Sequence, residues 1–338
     1  MKTSQFFFDL PESQIAQNPA PDRESARLLV LDRGTAAARH ATVRDLAGFI
    51  EPGTVVVIND SRVRKARLFG QRPNGARTEF LLLERRQTDL WETLAGRAGR
   101  LKPGAAFRFP EGVTGVLESA EEERWLLRFS PPIDEPWLER NGHVPLPPYI
   151  KRPDQSTDEE RYQTVYARAV GSAAAPTAGL HLTPRLLEAL ESRGVTLARV
   201  TLHVGLGTFQ PIRTDDIEAH QMHEEAYSVP PETTAAVEAA AREGRPVLAV
   251  GTTVVRTLES AWEDGKLRAG EGRTRIYITP GYQFKVIRQM LTNFHTPGST
   301  LLVLVSAFAG RERILDTYRE AVRLGYRFFS YGDAMLIR

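Results

Sequence analysis

The chain of 338 residues carries 44 Lys and Arg against 42 Asp and Glu, and 41% of its residues are hydrophobic. This length exceeds the ~250–300 residues at which a single hydrophobic core usually stops growing, so we expect two domains in an ordinary water-soluble protein. The absence of cysteine excludes disulfides, thiol nucleophiles and thiolate metal sites, and no apolar run reaches the ~18 residues of a membrane span. We therefore expect a cytoplasmic protein with no membrane partner.

The first part of the chain predicts buried strands followed by a small β-module. Apolar runs lie at 27–32 and 53–60, and the second, GTVVVIND, is rich in the β-branched residues that favour strands. Short alternating segments with closely spaced turns continue to about residue 150, and Asn74-Gly75 between two of them is a strong hairpin signal. The pattern predicts a small antiparallel β-barrel or β-sandwich over 62–150.

After the proline-rich stretch HVPLPPYIKRPDQ, strands and helices alternate. A helix is expected from Pro184 to just before Gly194, a strand over 200–205, a strand, tight turn and helix over 246–262, and a strand in RIYIT at 275–279. This alternation predicts an α/β fold with a mainly parallel sheet and flanking helices. The simplest architecture is a discontinuous α/β domain, formed by 1–61 and 151–338, into which the barrel is inserted.

Three of the seven histidines lie at the edge of a predicted element beside small or turn-forming residues. They are His181 in AAAPTAGLHLT, His203 in VTLHVGLGTFQP and His295 in LTNFHTPGSTL. One such histidine is more often structural, but three together favour a shared site, since ligands bind outside the carboxyl ends of α/β strands. Gly205 and Gly207, which follow His203, would allow a ligand to approach the backbone closely.

A predicted strand-to-helix junction lies at Gly251, Thr252 and Thr253. Free backbone N–H groups and the helix dipole make such a junction attractive to anions. Because any α/β crossover begins in the same way, this signal is weak when it stands alone.

The segment EAHQMHEE at 218–225 suggests metal binding but has the wrong spacing, because its two histidines are three apart and no third ligand is evident. A polar loop in which Glu224 or Glu225 accepts hydrogen bonds is the better interpretation. The chain also lacks the Gly-x-Gly-x-x-Gly, Gly-x-x-x-x-Gly-Lys and Gly-x-Ser-x-Gly motifs. Dinucleotide oxidoreductases, nucleoside triphosphatases and serine hydrolases therefore lose their usual support.

Eleven motifs, in order from residue 6 to 337, are similar to those of one known family. They are FFFDLPESQIAQ, RLLVLDR, GTVVVINDSRV, PLPPYIKR, RYQTVYA, AAPTAGLHLT, VTLHVGLGTFQP, HQMHEE, AVGTTVVRTLES, TNFHTPGSTLLVLVSAFAG and YRFFSYGDAMLI. On these motifs the chain resembles the S-adenosylmethionine:tRNA ribosyltransferase-isomerases of queuosine synthesis.

The resemblance implies an α/β domain with an inserted β-barrel and an unusual use of S-adenosylmethionine as a ribosyl donor. The implied acceptor is 7-aminomethyl-7-deazaguanine at the wobble position of tRNA, and the products are epoxyqueuosine in tRNA, adenine and methionine. S-adenosylmethionine would be a co-substrate, and no metal or redox cofactor is expected. The implied partners are S-adenosylmethionine and the modified tRNA, and the implied state is a monomer.

The expected chemistry needs a base for the ribose carbon next to the sulfonium and an acid or hydrogen-bond donor for the departing adenine. The candidate catalytic residues are His181, His203, His295 and Glu224. Glu224 would meet the sulfonium or the acceptor amine, and the turn at 251–253, assisted by Arg256, would hold the methionine carboxylate. The candidate substrate-binding residues, taken from the matching motifs, are Thr177, Gly179, Gly205, Gly207, Thr208, Gly251, Thr252, Thr253, Arg256, Asn293 and Asp333.

A basic block suggests where tRNA would bind. Between 62 and 108 there are twelve Lys or Arg against four acids, although a solvated face of β-strands would have the same composition. Its first cations lie in RVRKAR, where the family usually has Arg-Val-Ile-Pro-Ala-Arg, and the candidate tRNA-binding residues are Arg62, Arg64, Lys65 and Arg67.

Other departures from the family pattern leave two alternatives open. Arg288 replaces a usual aspartate, Leu182 a usual phenylalanine and Thr296 a usual leucine. The charge reversal at Arg288 leaves open a catalytically silent tRNA-binding protein on the same scaffold. An S-adenosylmethionine methyltransferase is the other alternative, but the glycine-rich loop after a first strand that it requires is not found.

Overall fold

The computed structural model describes residues 1–35, 38–96, 101–121, 124–205 and 211–338. The chain divides into two compact units. Met1–Arg62, Pro147–Pro153 and Glu160–Arg338 form the first, the α/β unit, and Val63–Leu146 with Asp154–Glu159 form the second, the barrel unit. That the α/β unit is catalytic and that the barrel unit contacts tRNA stay predictions. In the described ranges, no helix combines the length and apolar character needed to span a bilayer.

Strands dominate the chain up to residue 130, and α-helices join them after it. The described strands are β1 (Arg27–Leu31), β2 (Ala38–Thr42), β3 (Val55–Asn59), β4 (Ser61–Val63), β5 (Arg67–Gln71), β6 (Arg77–Arg85), β7 (Leu90–Ala95), β8 (Ala106–Arg108), β9 (Thr114–Glu121), β10 (Arg124–Ser130), β11 (Ala169–Ser172), β12 (Thr196–Leu202), β13 (Glu225–Val229), β14 (Val247–Val250), β15 (Trp262–Glu263), β16 (Lys266–Leu267), β17 (Gly270–Thr274), β18 (Gln289–Asn293) and β19 (Ala334–Ile337). The described α-helices are α1 (Glu135–Asn141), α2 (Ser156–Arg161), α3 (Pro184–Ser192), α4 (Pro231–Glu243), α5 (Thr252–Ser260), α6 (Thr300–Ala309) and α7 (Arg311–Arg323). Short 3₁₀ helices cover Thr3–Phe6, Glu12–Gln14, Arg23–Ser25, Val43–Phe49, Pro110–Gly112, Thr177–His181 and Ile217–Ala219.

A nine-stranded sheet organises the α/β unit, in the order β17-β13-β12-β3-β14-β18-β19-β1-β2. The central run from β12 to β18 is parallel, as is the pair of β19 with β1, and the remaining pairs are antiparallel. The predicted α/β fold class with an inserted antiparallel barrel is confirmed, and the sheet is mixed, with its parallel part at the centre.

Helices cover both faces of this sheet, which explains the continuous apolar run of β3. Val55 and Val57 pack in one core cluster with residues of α4 to α7, whereas Val56 and Ile58 pack in a second cluster with Leu186 of α3. Because successive side chains of a strand point to opposite faces, a strand buried on both faces needs apolar residues at every position.

The barrel unit closes six antiparallel strands in the order β10-β7-β6-β5-β8-β9. Its interior is aromatic, and the rings of Phe80 and Phe107 meet edge to face with centroids 4.8 Å apart. Asn74-Gly75 lies in the turn between β5 and β6, so the hairpin predicted from this dipeptide is confirmed.

The predicted strand in RIYIT is wrong. β17 ends at Thr274, and the backbone that follows bonds to side chains instead of to a neighbouring strand. The Ile276 N–H donates to Thr274 Oγ1 (3.0 Å), and the Ile276 carbonyl accepts from Arg256 Nε (3.4 Å). Conversely, β18 is a strand that the sequence analysis did not identify, and it ends two residues before His295.

Glycines at two barrel positions leave room for Phe109. A Cβ on Gly70 would lie 2.8 Å from the Phe109 ring, and one on Gly115 would lie 2.7 Å from it. We expect Gly70→Ala and Gly115→Ala each to lower the free energy of unfolding by about 1–3 kcal/mol, the usual effect of overpacking a core. Chemical denaturation measures this. Gly96→Ala is the control, because its Cβ would meet only ordinary contacts at 3.6 Å; equal losses in all three variants would contradict the explanation.

Candidate active site

The candidate site lies where β14 and β18 end side by side. Gly251 follows β14, Asn293 is the last residue of β18, and the 3₁₀ helix Thr177–His181 packs against β18. Two small cavities of about 40 Å³ each meet here. Thr177, Asn293 and His295 line both cavities, which lie at the carboxyl edge of the parallel strands, where the sequence analysis expects a site.

Asn293 connects the segments of the site through its side-chain amide. Its Oδ1 accepts from Thr177 Oγ1 (3.0 Å), and its Nδ2 donates to the Phe329 carbonyl (3.3 Å) and to His181 Nε2 (3.1 Å). Because the Phe329 carbonyl can only accept, the amide orientation is determined, and Nε2 of His181 must accept. The neutral His181 ring therefore carries its proton on Nδ1.

His181 is buried, with 4% of its surface exposed. Burial, followed by the positive charges of Arg23 and Arg327, lowers its pKa to about 4. The ring is thus neutral near pH 7, and its Nε2 lone pair is engaged by Asn293. His181 is not among the residues that line the two cavities.

His295 faces the cavities that His181 does not line. It follows β18 at the start of the turn that leads to α6, and its Nε2 bonds Thr292 Oγ1 (2.8 Å). Its backbone N–H donates to the Tyr318 hydroxyl (3.1 Å), which holds the turn. Burial lowers the pKa of His295 to about 3, so its imidazole is neutral at physiological pH.

His203 follows the end of β12 and lies beside Gly171. A Cβ on Gly171, whose φ is +143°, would come within 3.1 Å of the imidazole. The backbone N–H of His203 donates to the Ala226 carbonyl (3.1 Å). The ring does not line either of the two cavities, so the structure brings His181 and His295 to Asn293 and Thr292 but does not place His203 with them.

The residues Gly251, Thr252 and Thr253 line one of the two cavities at the N-terminus of α5. Gly251 has φ +92°, a conformation that glycine adopts without strain. Thr253 Oγ1 accepts from the buried amide of Asn59 (3.3 Å), which fixes the turn to β3. The turn at which the sequence analysis expects an anion therefore opens into a cavity that His295 also lines.

The two adjacent glutamates of HQMHEE have opposite surroundings. Glu224 forms ion pairs with Arg273 (2.6 Å) and Arg275 (3.2 Å), and the hydrogen bond from Arg273 is the main cause of its lowered pKa. Glu225 is 5% exposed, accepts from the Gly205 N–H (2.8 Å) and pairs with buried Arg256. The structure thus places Glu224, the sequence candidate, among surface arginines.

Arg256 forms a buried ion pair with Glu225 and a hydrogen bond to the backbone at Ile276. Its Nη1 pairs with Glu225, and its Nε donates to the Ile276 carbonyl, so the guanidinium links α5, β13 and the segment after β17. Through Glu225 it also fixes Gly205. Gly207 and Thr208, the other candidates of that loop, lie outside the described residues.

Gly179 and Asp333 support neighbouring segments of the chain and do not line the two cavities. A Cβ on Gly179 would lie 2.1 Å from the Tyr166 hydroxyl, so only glycine fits there. The Asp333 carboxylate accepts from the N–H groups of Arg27 (2.9 Å) and Arg327 (2.8 Å), and burial raises its pKa. Asp333 thus holds two backbone segments and does not line the two cavities.

The candidate tRNA-binding cations Arg64, Lys65 and Arg67 each pair with a carboxylate. Arg64 binds Glu135 (2.6 Å), Lys65 binds Glu159 (2.8 Å) and Arg67 binds Glu79 (2.8 Å), and these cations are only 16–20% exposed. Arg62, in contrast, is exposed. Phosphates would have to compete with these carboxylates for the three paired cations, and tRNA contact by this segment stays a prediction.

The departures from the family pattern lie in different places. Arg288 is exposed, and its guanidinium donates to the Ile287 carbonyl (3.2 Å) away from the two cavities. Leu182 is buried in the core cluster of α3, whereas Thr296 lines a cavity beside His295. Among the residues that the structure describes, no group of three or more His, Cys, Asp or Glu could hold a metal ion.

Comparisons with known proteins agree with this architecture. The sequence pattern of the family described as "Queuosine biosynthesis protein" matches residues 3–337. The chain belongs to this family. The S-adenosylmethionine:tRNA ribosyltransferase-isomerases of Moorella thermoacetica and Trichlorobacter lovleyi are 51% and 50% identical, each over 100% of both chains. The crystal structure of an S-adenosylmethionine tRNA ribosyltransferase from Thermotoga maritima, 35% identical, covers 99% of this chain and 100% of that chain with a TM-score of 0.57. The resemblance to the queuosine family is confirmed.

Several functional candidates were missed by the sequence analysis. Tyr149, Phe329 and Ser330 line one cavity and Thr292 the other, although all four lie in or beside the motifs that carry the resemblance. The positions of Tyr149 in PLPPYIKR and of Phe329 in YRFFSYGD could have marked both residues as candidates. Their contact in space could not be inferred from the sequence, because 180 positions separate them along the chain.

The adjacent glutamates provide a matched test of the buried pair. Glu225→Gln leaves the Arg256 charge buried without its counter-ion, so we expect a loss of about 3–5 kcal/mol in the free energy of unfolding. Glu224→Gln removes only exposed ion pairs and should leave the denaturation midpoint nearly unchanged. Equal effects of the two substitutions in urea titrations would refute this assignment.

The lowered pKa of His181 predicts a specific acid sensitivity. Between about pH 4 and 6.5 the unfolded chain protonates this histidine and the folded chain does not, so its contribution to stability falls as the pH falls. Over that range we expect wild type to lose about 3 kcal/mol more than His181→Gln. Parallel stability curves for the two proteins, from denaturation at several pH values, would show that His181 is not held neutral.

Proposed function

We propose that this protein is an S-adenosylmethionine:tRNA ribosyltransferase-isomerase. It transfers and isomerises the ribosyl group of S-adenosylmethionine onto 7-aminomethyl-7-deazaguanine at the tRNA wobble position, which gives epoxyqueuosine in tRNA, adenine and methionine. The observation that carries this proposal is sequence similarity over the full length of the chain. Two relatives whose names state this activity are 51% and 50% identical to it. The cavities that contain His295, Asn293 and Gly251 supply the place for the chemistry.

His295 is the proposed proton acceptor. The sulfonium acidifies the neighbouring ribose carbon, and a neutral imidazole that lines the cavities can take its proton. Adenine then leaves, the amine of the modified base attacks, and closure of the epoxide expels methionine. The hydrogen bond to Thr292 orients the ring. His181 lines neither cavity, which favours a supporting role for that residue.

The N-terminus of α5 is the proposed site of the methionine carboxylate. Gly251, Thr252 and Thr253 line the cavity that also contains His295, so the donor would place its carboxylate at one end and its ribose beside the imidazole. Arg256 supports this site indirectly, since its charge is directed to Glu225. Glu224 would act on a bound cation only after releasing Arg273 and Arg275.

The proposed partners are S-adenosylmethionine, as a co-substrate, and the tRNA that carries the modified base. No metal is assigned a role. Both partners occur in the cytoplasm, where we place the enzyme, and we propose that it works as a monomer, which sedimentation of the purified protein would test.

The direct test is incubation of the protein with S-adenosylmethionine and tRNA bearing 7-aminomethyl-7-deazaguanine. We expect adenine and methionine by chromatography and epoxyqueuosine by nucleoside mass analysis. S-adenosylhomocysteine as the product would indicate a methyltransferase. Binding of tRNA without either product would indicate a silent RNA-binding protein.

His295→Gln tests the proposed proton acceptor. Glutamine keeps an amide near Thr292 but cannot take the proton, so we expect kcat to fall by at least about 100-fold, with the affinity for S-adenosylmethionine within a few-fold of wild type. Single-turnover adenine release and calorimetric binding measure the two effects. His220→Gln is the control, because His220 lies beside Tyr277 and away from the cavities; a normal kcat in His295→Gln would contradict the role.

A further inference from the structure

Two aromatic rings form one wall of the cavity beside Asn293. Tyr149 and Phe329 lie with ring centroids 4.2 Å apart and an interplanar angle of 32°. Both side chains are partly exposed, and both line this cavity. Because the two rings stack on each other, a ligand can meet only their outer faces and edges, which are apolar.

Phe329 has a backbone conformation that favours glycine. Its φ is +71°, a region that costs a bulky residue about 1–3 kcal/mol. The surrounding backbone maintains this conformation: the Phe329 N–H donates to the Phe294 carbonyl (3.0 Å), and its carbonyl accepts from Gly332 N (2.9 Å) and Asn293 Nδ2 (3.3 Å). A phenyl ring kept at a position where glycine would be relaxed indicates that the ring itself is needed.

Tyr149 is also held in place. Its hydroxyl bonds Ser330 Oγ, and its carbonyl accepts from Gln17 Nε2 (2.8 Å). The next residues of the same segment are fixed by the Lys151 N–H, which donates to Gln17 Oε1 (2.7 Å). The orientation of this wall is therefore set before any ligand binds, which lowers the entropic cost of binding.

The rest of the cavity supplies groups for the edge of a flat ligand. Thr177 and Thr296 line it with hydroxyl groups, and Leu301 supplies an apolar contact. Flat faces surrounded by hydrogen-bonding groups match a nitrogen heterocycle, which presents an apolar face and polar edges.

We infer that Tyr149 and Phe329 are a stacking platform for the heterocyclic base of a substrate. This inference rests on the proposed function, whose two substrates both carry a bicyclic base of the purine type. The base is either the adenine of S-adenosylmethionine or the deazaguanine of the tRNA, and the two sources share the same stacking chemistry.

The experiment compares ring-removing with ring-keeping substitutions. Phe329→Leu and Tyr149→Leu remove a ring, whereas Phe329→Tyr and Tyr149→Phe keep it. Affinities are measured by calorimetry for S-adenosylhomocysteine, which carries adenine, and for tRNA with 7-aminomethyl-7-deazaguanine or with guanine at the wobble position. We expect the leucine variants to lose about ten-fold in affinity for one of these ligands, the size of a stacking contact of ~1.4 kcal/mol, and the ring-keeping variants to bind as wild type.

The ligand whose affinity falls identifies the source of the base. Weaker binding of S-adenosylhomocysteine by the leucine variants assigns the platform to adenine. Weaker binding of the tRNA with 7-aminomethyl-7-deazaguanine, with unchanged binding of S-adenosylhomocysteine, assigns it to the deazaguanine. Unchanged affinity for all three ligands, with the proteins folded, overturns the platform.

Phe329→Gly separates binding from folding. Glycine adopts φ +71° without strain, so this variant should unfold at a temperature no lower than that of Phe329→Leu and still lose the same affinity. Wild-type adenine release, measured in parallel, keeps the two proposals distinct. Wild type that binds but releases no adenine contradicts the proposed function alone, whereas active leucine variants with wild-type affinities contradict the platform alone.

Discussion

The side-chain amide of Asn293 is the interaction on which the candidate site depends. Its three hydrogen bonds join the end of β18 to the Thr177–His181 helix and to the Phe329 backbone, which are separated by long stretches of sequence. An amide can donate and accept at once, so it satisfies a hydroxyl, a ring nitrogen and a carbonyl together. An aspartate would lack the donors, and an apolar residue would leave all three partners without a bond.

The sequence was sufficient for features that depend on local pattern. The buried character of β3 follows from its β-branched run, and the barrel hairpin follows from Asn74-Gly75. The nearness of His181 and His295 to Asn293 agrees with the shared candidate site that the small residues beside them suggest. The local sequence could not show whether Glu224 or Glu225 is the buried carboxylate. Adjacent residues at the start of a strand point to opposite sides, and only the register of β13 shows which one meets Gly205 and Arg256.

The partners of charged and aromatic side chains likewise could not be inferred from the local sequence. The cations of RVRKAR suggest a polyanion partner when they are counted along the chain, yet Arg64 and Lys65 have carboxylates of the same unit within 3 Å. Composition counts charges without their partners, and the partners are fixed by tertiary contacts. Tyr149 and Phe329 were likewise in recognised motifs, but nothing in either motif indicates that the rings touch.

The pairing of β1 with β19 has a consequence for how the chain folds during synthesis. Residues 28–31 hydrogen-bond with residues 334–337, so the sheet of the α/β unit cannot be completed until the last strand has been made. At about 5–20 residues per second, β1 waits roughly 15–60 s for its partner. The barrel strands, all within residues 67–130, are complete much earlier. We therefore expect the strands of the inserted unit to pair during synthesis before β1 and β19 do.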